Sequence, residues 1–154
     1  MKKLLFLCAV AAASLCACGG NAKSADAAAT DSVATAQTAA EEFPAGSVYL
    51  LKDDAKIQPD TKVSTLTILD FNAVWCGPCK QFAPVFEEAA RQYPSVRFIS
   101  LDVDSVPMTA QAFEVEAIPT VVVMRPDGTT ERFVGTEDLL PAEKFAEIIN
   151  RNLK

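Results

Sequence analysis

The chain predicts an α/β domain in which a central mixed β-sheet carries helices on both faces. Three observations lead there. Beginning near Ser47, short β-branched or apolar runs alternate with stretches of helical spacing, in the order β, β, α, β, α, β, β, α. The run Thr65 to Asn72 is apolar on both alternations, as a strand covered on both faces requires. Late in the chain, Thr120 to Met124 and Glu131 to Val134 flank Pro126-Asp127-Gly128, a turn sequence that folds two strands into a hairpin.

Taken in order, Val48-Tyr49-Leu50-Leu51 reads as a short strand. Lys52 to Lys62 is polar and holds Pro59, so it reads as a loop with at most one helical turn. Thr65 to Asn72 is the central strand. Phe82, Val85, Phe86, Ala89, Ala90 and Tyr93 then share one helical face, with Pro84 predicted to kink the helix because it lacks an N–H. Val96 to Val103 is the next strand and Pro107 to Val115 a short helix. After the hairpin, Leu140 to Leu153 is an amphipathic helix whose apolar side includes Phe145, Ile148 and Ile149.

The first 45 residues do not read as part of this fold. Met1-Lys2-Lys3, the apolar stretch Leu4 to Leu15 and the small residues after it have the layout of a secretory signal, with an apolar run too short to span a membrane. Leu15-Cys16-Ala17-Cys18 resembles a bacterial lipobox, which implies a signal peptide over 1–17 and lipid attachment at Cys18. The alternative is an ordinary signal peptide cleaved nearby. From Gly19 to Ala45 the composition is mostly Ala, Thr, Ser and Asp, which buries too little surface to offset the entropy of ordering. Residues 18–45 therefore read as a lipid-attachment cysteine followed by a tether, spanning on the order of 30 Å as a coil. The folded domain is 46–154.

Composition excludes some classes of function. The chain has 154 residues, which suits one domain with extensions, and a formal net charge of −6. It has no long basic run, so nucleic acid is not an expected partner. A domain of this size suits a monomer.

The chemistry concentrates in Trp75-Cys76-Gly77-Pro78-Cys79-Lys80, between the central strand and the first helix. A strand that turns directly into a helix puts Cys76 where unpaired backbone N–H groups converge, and these favour a thiolate. Two intervening residues let the Cys79 sulfur reach the first, so Cys79 can resolve a mixed disulfide on Cys76. Pro78 restricts the loop between them. A zinc site would need two more Cys or His ligands, but the chain has no histidine and its other cysteines are Cys8, Cys16 and Cys18. An inert structural disulfide is the other alternative, although so short a loop constrains the unfolded chain little. A redox-active Cys76–Cys79 pair, with no metal and no further cofactor, is the expectation.

Over roughly residues 47–154 the chain resembles the thioredoxin family. The resemblance rests on the hexapeptide Trp75 to Lys80, on Asp70 in the strand before it, on Pro84 in the helix after it, on Ile118-Pro119-Thr120 and on Gly135. It implies a thioredoxin-like fold, with Cys76 the more exposed nucleophile and Cys79 the more buried resolving thiol. Asp70 would be a buried acid that takes the Cys79 proton, with burial raising its pKa. Pro119 would be cis, with Ile118 offering backbone groups to an extended substrate peptide. Trp75, Gly77, Pro78 and Gly135 would complete that substrate groove. The alternatives are that Asp70 is a strand-end polar residue without a role and that Trp75 is simply core. Two departures stand out. Many thioredoxins have a lysine near the aspartate where this chain has Ser100, and an aromatic where it has Asn72, which puts the tuning of Asp70 in question.

The expected activity is thiol–disulfide exchange. Gly77-Pro78 resembles the dipeptide of the strongly reducing member of the family, which implies a reductase acting on disulfide-containing client proteins. With a lipid anchor, it would sit in the bacterial cell envelope, facing the periplasm, and draw electrons from a membrane-embedded donor. Two other readings stand beside it: an oxidase or isomerase on the same scaffold, and a non-catalytic peptide-binding module. Loss of Cys76 separates the last from the enzyme, because only the enzyme needs that sulfur.

Overall fold

The eight elements occur in the predicted order. They are β1 (Val48–Leu50), β2 (Thr67–Asn72), α1 (Gly77–Gln92), β3 (Arg97–Asp102), α2 (Pro107–Ala112), β4 (Thr120–Met124), β5 (Thr130–Val134) and α3 (Ala142–Asn152). They come from a computed structural model that describes residues 45–154. The expected signal peptide, Cys18 and the tether up to residue 44 lie outside the described residues.

The strands form one mixed sheet in the order β1-β3-β2-β4-β5. β1 and β2 run parallel to β3, while β4 pairs antiparallel with both β2 and β5. β2 is central, and its side chains divide between two cores. Ile68 packs with Phe82, Phe86, Phe98, Val121, Phe145 and Ile148, so α1 and α3 cover this face. Leu69 and Phe71 pack with Ile99, Leu101, Val122, Ala110 and Phe113, so α2 covers the other. The first core is held by ring contacts between Phe82 and Phe145 at 5.1 Å and between Phe86 and Phe98 at 5.2 Å, both edge-to-face.

Asp70 follows the same alternation. It lies on the α1 side, in register with Ser100 of β3 and Val121 of β4. It is buried in the middle of the sheet.

Three helix boundaries differ from the periodicity, each for a local reason. α1 begins at Gly77, ahead of its apolar stripe, because Pro78 in the first turn has the right φ and gives up only an N–H that would be unpaired there. α2 stops at Ala112, and Glu114 takes a positive φ of 50° that ends the helical path. α3 begins at Ala142 because Leu140 precedes a proline, which disfavours helical geometry at Leu140. Lys52 to Lys62 contains no helix, but its Ile57 and the preceding Leu51 are buried in the α2-side core.

That loop also supplies a cap. The α2 N-cap residue, Val106, has no side-chain hydrogen bond of its own. Asp54 does its work from a distance: Oδ2 accepts from Met108 N at 2.9 Å, and Oδ1 from Thr109 N at 2.8 Å and Thr109 Oγ1 at 3.0 Å.

Candidate active site

Cys76 is the N-cap of α1, and its Sγ accepts a hydrogen bond from Cys79 N at 3.2 Å. The helix thus directs an orphan N–H at the first sulfur, an environment that favours negative charge there. Cys76 and Cys79 are joined in a disulfide, with Cα atoms 5.3 Å apart. The difference in exposure expected between them is absent in this oxidised form, since both residues are 5% exposed. Their asymmetry is positional. Cys76 caps the helix and Cys79 belongs to its first turn.

A small apolar cluster of Ala73, Cys76 and Cys79 holds the pair, with Val103 and Ile118 packed against it. Cys76 Sγ lies 3.8 Å from Ile118 O. The Ile118–Pro119 peptide bond is cis. Gly135 closes the same neighbourhood, donating its N–H to Pro119 O at 2.8 Å. Its φ of 79° favours glycine, and a Cβ there would meet no atom within 4 Å, so the ground beside Pro119 is open. Gly77 is open in the same way. Both glycines leave bare backbone near the disulfide.

Trp75 is not core. It is 65% exposed beside an exposed Val74, and its Nε1–H donates to Asp104 Oδ2 at 2.7 Å. Asp104 has no counterpart among the residues singled out from sequence. The signal for it was topological: β2 and β3 are parallel, so residues just past the C-terminal end of β3 must lie beside those following β2.

Asp70 lies in the same region. It lines a cleft of about 320 Å³ together with Asn72, Cys79, Lys80, Glu87 and Ser100. Burial disfavours its charged form and raises its pKa from 3.8 to about 7, opposed by a hydrogen bond from Asn72. That bond runs from Nδ2 to Asp70 Oδ2 at 3.0 Å, while Oδ1 is buried without a partner. The two departures from the family pattern, Asn72 and Ser100, meet here, with Asn72 Nδ2 also 2.8 Å from Ser100 Oγ.

Among the described residues, no group of three or more His, Cys, Asp or Glu is placed to hold a metal ion. No described helix is long and apolar enough to cross a membrane.

A mixed sheet between helices, with a Cys-x-x-Cys disulfide at a helix N-terminus, defines a thiol–disulfide oxidoreductase. The Thioredoxin family model matches residues 51–151, and the chain belongs to the thioredoxin family. It is 42% identical over 95 residues to a thioredoxin of Staphylococcus saprophyticus, covering 61% of this chain and 88% of that one. Among solved structures it is similar to Fasciola hepatica thioredoxin, with 37% identity, a TM-score of 0.51, and coverage of 57% and 81%. Malassezia sympodialis thioredoxin gives 29% identity and a TM-score of 0.60, covering 74% of this chain and 97% of that one. The family acts on disulfide-containing substrates and needs no cofactor beyond its redox-active cysteines.

Proposed function

We propose that the protein is a membrane-tethered thiol–disulfide reductase of the bacterial cell envelope. The observation that carries the chemistry is the disulfide at the head of α1, with a helix N–H on the Cys76 sulfur and a buried acid lining the same cleft as Cys79. In the reduced protein the Cys76 thiolate attacks a client disulfide. One client sulfur leaves as a thiolate, and a mixed disulfide forms. Cys79 then gives its proton to the Asp70 carboxylate and attacks Cys76 Sγ. The second client thiolate departs and the Cys76–Cys79 disulfide closes, so two electrons pass to the client. The Asp70 pKa of about 7 suits a group that must accept a proton and then lose it near neutral pH.

Clients lie as extended segments across Ile118 and Pro119, flanked by Trp75 and Gly135, over the open backbone at Gly77 and Pro78. The exposed Trp75 ring and the bare backbone at Gly77 and Gly135 support this placement. The domain, residues 46–154, acts as a monomer. Residues 1–17 direct export, Cys18 carries the lipid, and 18–45 hold the domain clear of the membrane. Electrons come from a membrane-embedded dithiol donor, because a protein in this compartment is out of reach of cytosolic reductants.

The reducing direction rests on Gly77-Pro78 and on the similarity to thioredoxins. Its test is the equilibrium potential of the Cys76–Cys79 pair, titrated against dithiothreitol or glutathione. The expected value is near that of thioredoxin, about −270 mV. A value about 100 mV more oxidising sinks the reductase and makes the chain an oxidase or isomerase.

A further inference from the structure

We propose that Asn72 and Ser100 are positioning residues for the Asp70 carboxyl, setting by neutral hydrogen bonding what a cation could otherwise set by charge. The inference rests on the assignment of Asp70 as proton acceptor only for its catalytic consequence. Its physical content stands without it.

Strand alternation and register put the three side chains together. Asp70 and Asn72 are two apart on β2 and so face the same side, and the parallel pairing sets Ser100 directly opposite Asp70. Asn72 Nδ2 lies 3.0 Å from Asp70 Oδ2, 3.0 Å from Asp70 O and 2.8 Å from Ser100 Oγ. An amide nitrogen has only two hydrogens, so the three acceptors share them, at least one hydrogen being bifurcated, and the amide is seated between Ser100 and Asp70. Ser100 therefore acts on the acid through Asn72. It anchors the amide that holds Oδ2, leaving Oδ1 as the oxygen without a partner.

Among the described residues, the other surroundings offer nothing equivalent. The cleft is lined from α1 by Cys79, Lys80 and Glu87, from β1 by Val48 and from β3 by Ser100, while β4 sets Val121 against Asp70. Lys80 and Glu87 are exposed and opposite in sign. The Asn72 amide is thus the polar group that specifically favours the carboxylate over the acid.

Losing that hydrogen bond must raise the acid's titration point. A hydrogen bond to a charged group corresponds to a shift of about one pH unit, or a ten-fold lower carboxylate-to-acid ratio below it. The test follows the Asp70 carboxyl by carbon NMR in the oxidised full chain, where no cysteine thiol of the pair titrates alongside it. Asn72→Ala should shift the midpoint up by about one unit. Ser100→Ala should shift it in the same direction by less, and Ser100→Thr, which keeps the hydroxyl, should restore it. If Asn72→Ala does not fold, the contrast between Ser100→Ala and Ser100→Thr carries the test alone. An unmoved midpoint in folded variants overturns the proposal and leaves both residues as packing.

A second readout separates this inference from the relay itself. In the same variants, the rate at which Cys79 resolves a mixed disulfide on Cys76 is measured against pH. If its pH midpoint follows the NMR midpoint, both readings stand. If the NMR midpoint moves and the rate profile does not, the positioning role stands and Asp70 is not the proton acceptor.

Discussion

Asp54, in the loop after β1, and Asp70, in β2, serve opposite faces of the sheet, and their carboxyls are driven in opposite directions. Partial burial works against the charge on Asp54. Hydrogen bonds from Met108 N, Thr109 N, Thr109 Oγ1 and Ala55 N outweigh it and hold the pKa below the ordinary value. At Asp70, burial dominates and a single amide opposes it, so the pKa rises to about 7. One aspartate fastens a helix by remaining charged. The other is held where charge is costly, which is unfavourable for folding and useful for moving a proton. The α2 side of the sheet spends its carboxylate on structure, and the α1 side keeps one in reserve beside the disulfide.

The largest effect of this contrast should appear in stability against pH. Between the ordinary carboxylate value of 3.8 and about 7, the folded state holds a proton on Asp70 that the unfolded state has released. Stability therefore falls as pH rises through that window, and the loss is complete above about 7. At about 1.4 kcal/mol per pH unit, the full cost is on the order of 4 kcal/mol. Asp70→Asn, which mimics the protonated acid, should abolish the slope and be the more stable protein at pH 8 by up to that amount. Denaturant unfolding at pH 5 and pH 8 checks it. A wild-type stability that does not fall over that range would remove the contrast between the two aspartates.

The effect at Asp54 has the opposite sign and is smaller. Asp54→Ala leaves the first turn of α2 without its cap, and the melting temperature should drop by about 4 °C at neutral pH. Because the folded pKa is depressed, the cap's contribution is present above the ordinary carboxylate range and is lost as pH falls through the folded value. The wild-type and variant melting curves should therefore converge in acid. Activity should be unchanged, since among the described residues the Asp54 carboxylate accepts its hydrogen bonds from α2 and its own loop, away from the disulfide.

The two regions differ as much in how far sequence exposes them. On the α1 side, Cys76 and Cys79 could be read from their spacing between a strand and a helix, while Asp70, Ile118, Pro119 and Gly135 were named through the resemblance to the thioredoxin family. The equal burial of the two cysteines was not legible, because it depends on the disulfide and on Ala73, Val103 and Ile118 closing around both sulfurs. The partnership of Asn72 with Ser100 needed the register of β2 against β3, which periodicity does not supply. The cap at Asp54 was hidden for the same reason, since its partners lie 54 and 55 residues away along the chain. Hydrophobic pattern locates elements. Long-range polar contacts depend on how the elements are assembled.

Asp104 offers the finest test, because it is a third aspartate that works by position alone on the active side. It accepts from Trp75 Nε1 at 2.7 Å and so holds an indole that is otherwise largely exposed next to the disulfide. Without that bond the ring is free to sample other rotamers, and a client must order it on binding. Losing one hydrogen bond of about 1 kcal/mol corresponds to about a five-fold weaker interaction. Asp104→Ala should therefore raise the KM for a folded protein disulfide about five-fold and leave kcat unchanged, because the sulfurs and Asp70 are untouched. Asp104→Asn, which keeps an acceptor oxygen, should recover most of the loss. Reduction of a small disulfide too short to reach the indole should be the same in all three proteins. Equal losses for the small and the protein substrate would mean that Asp104 acts on the cysteines themselves, and the division between positional and protonic aspartates on the α1 side would have to be redrawn.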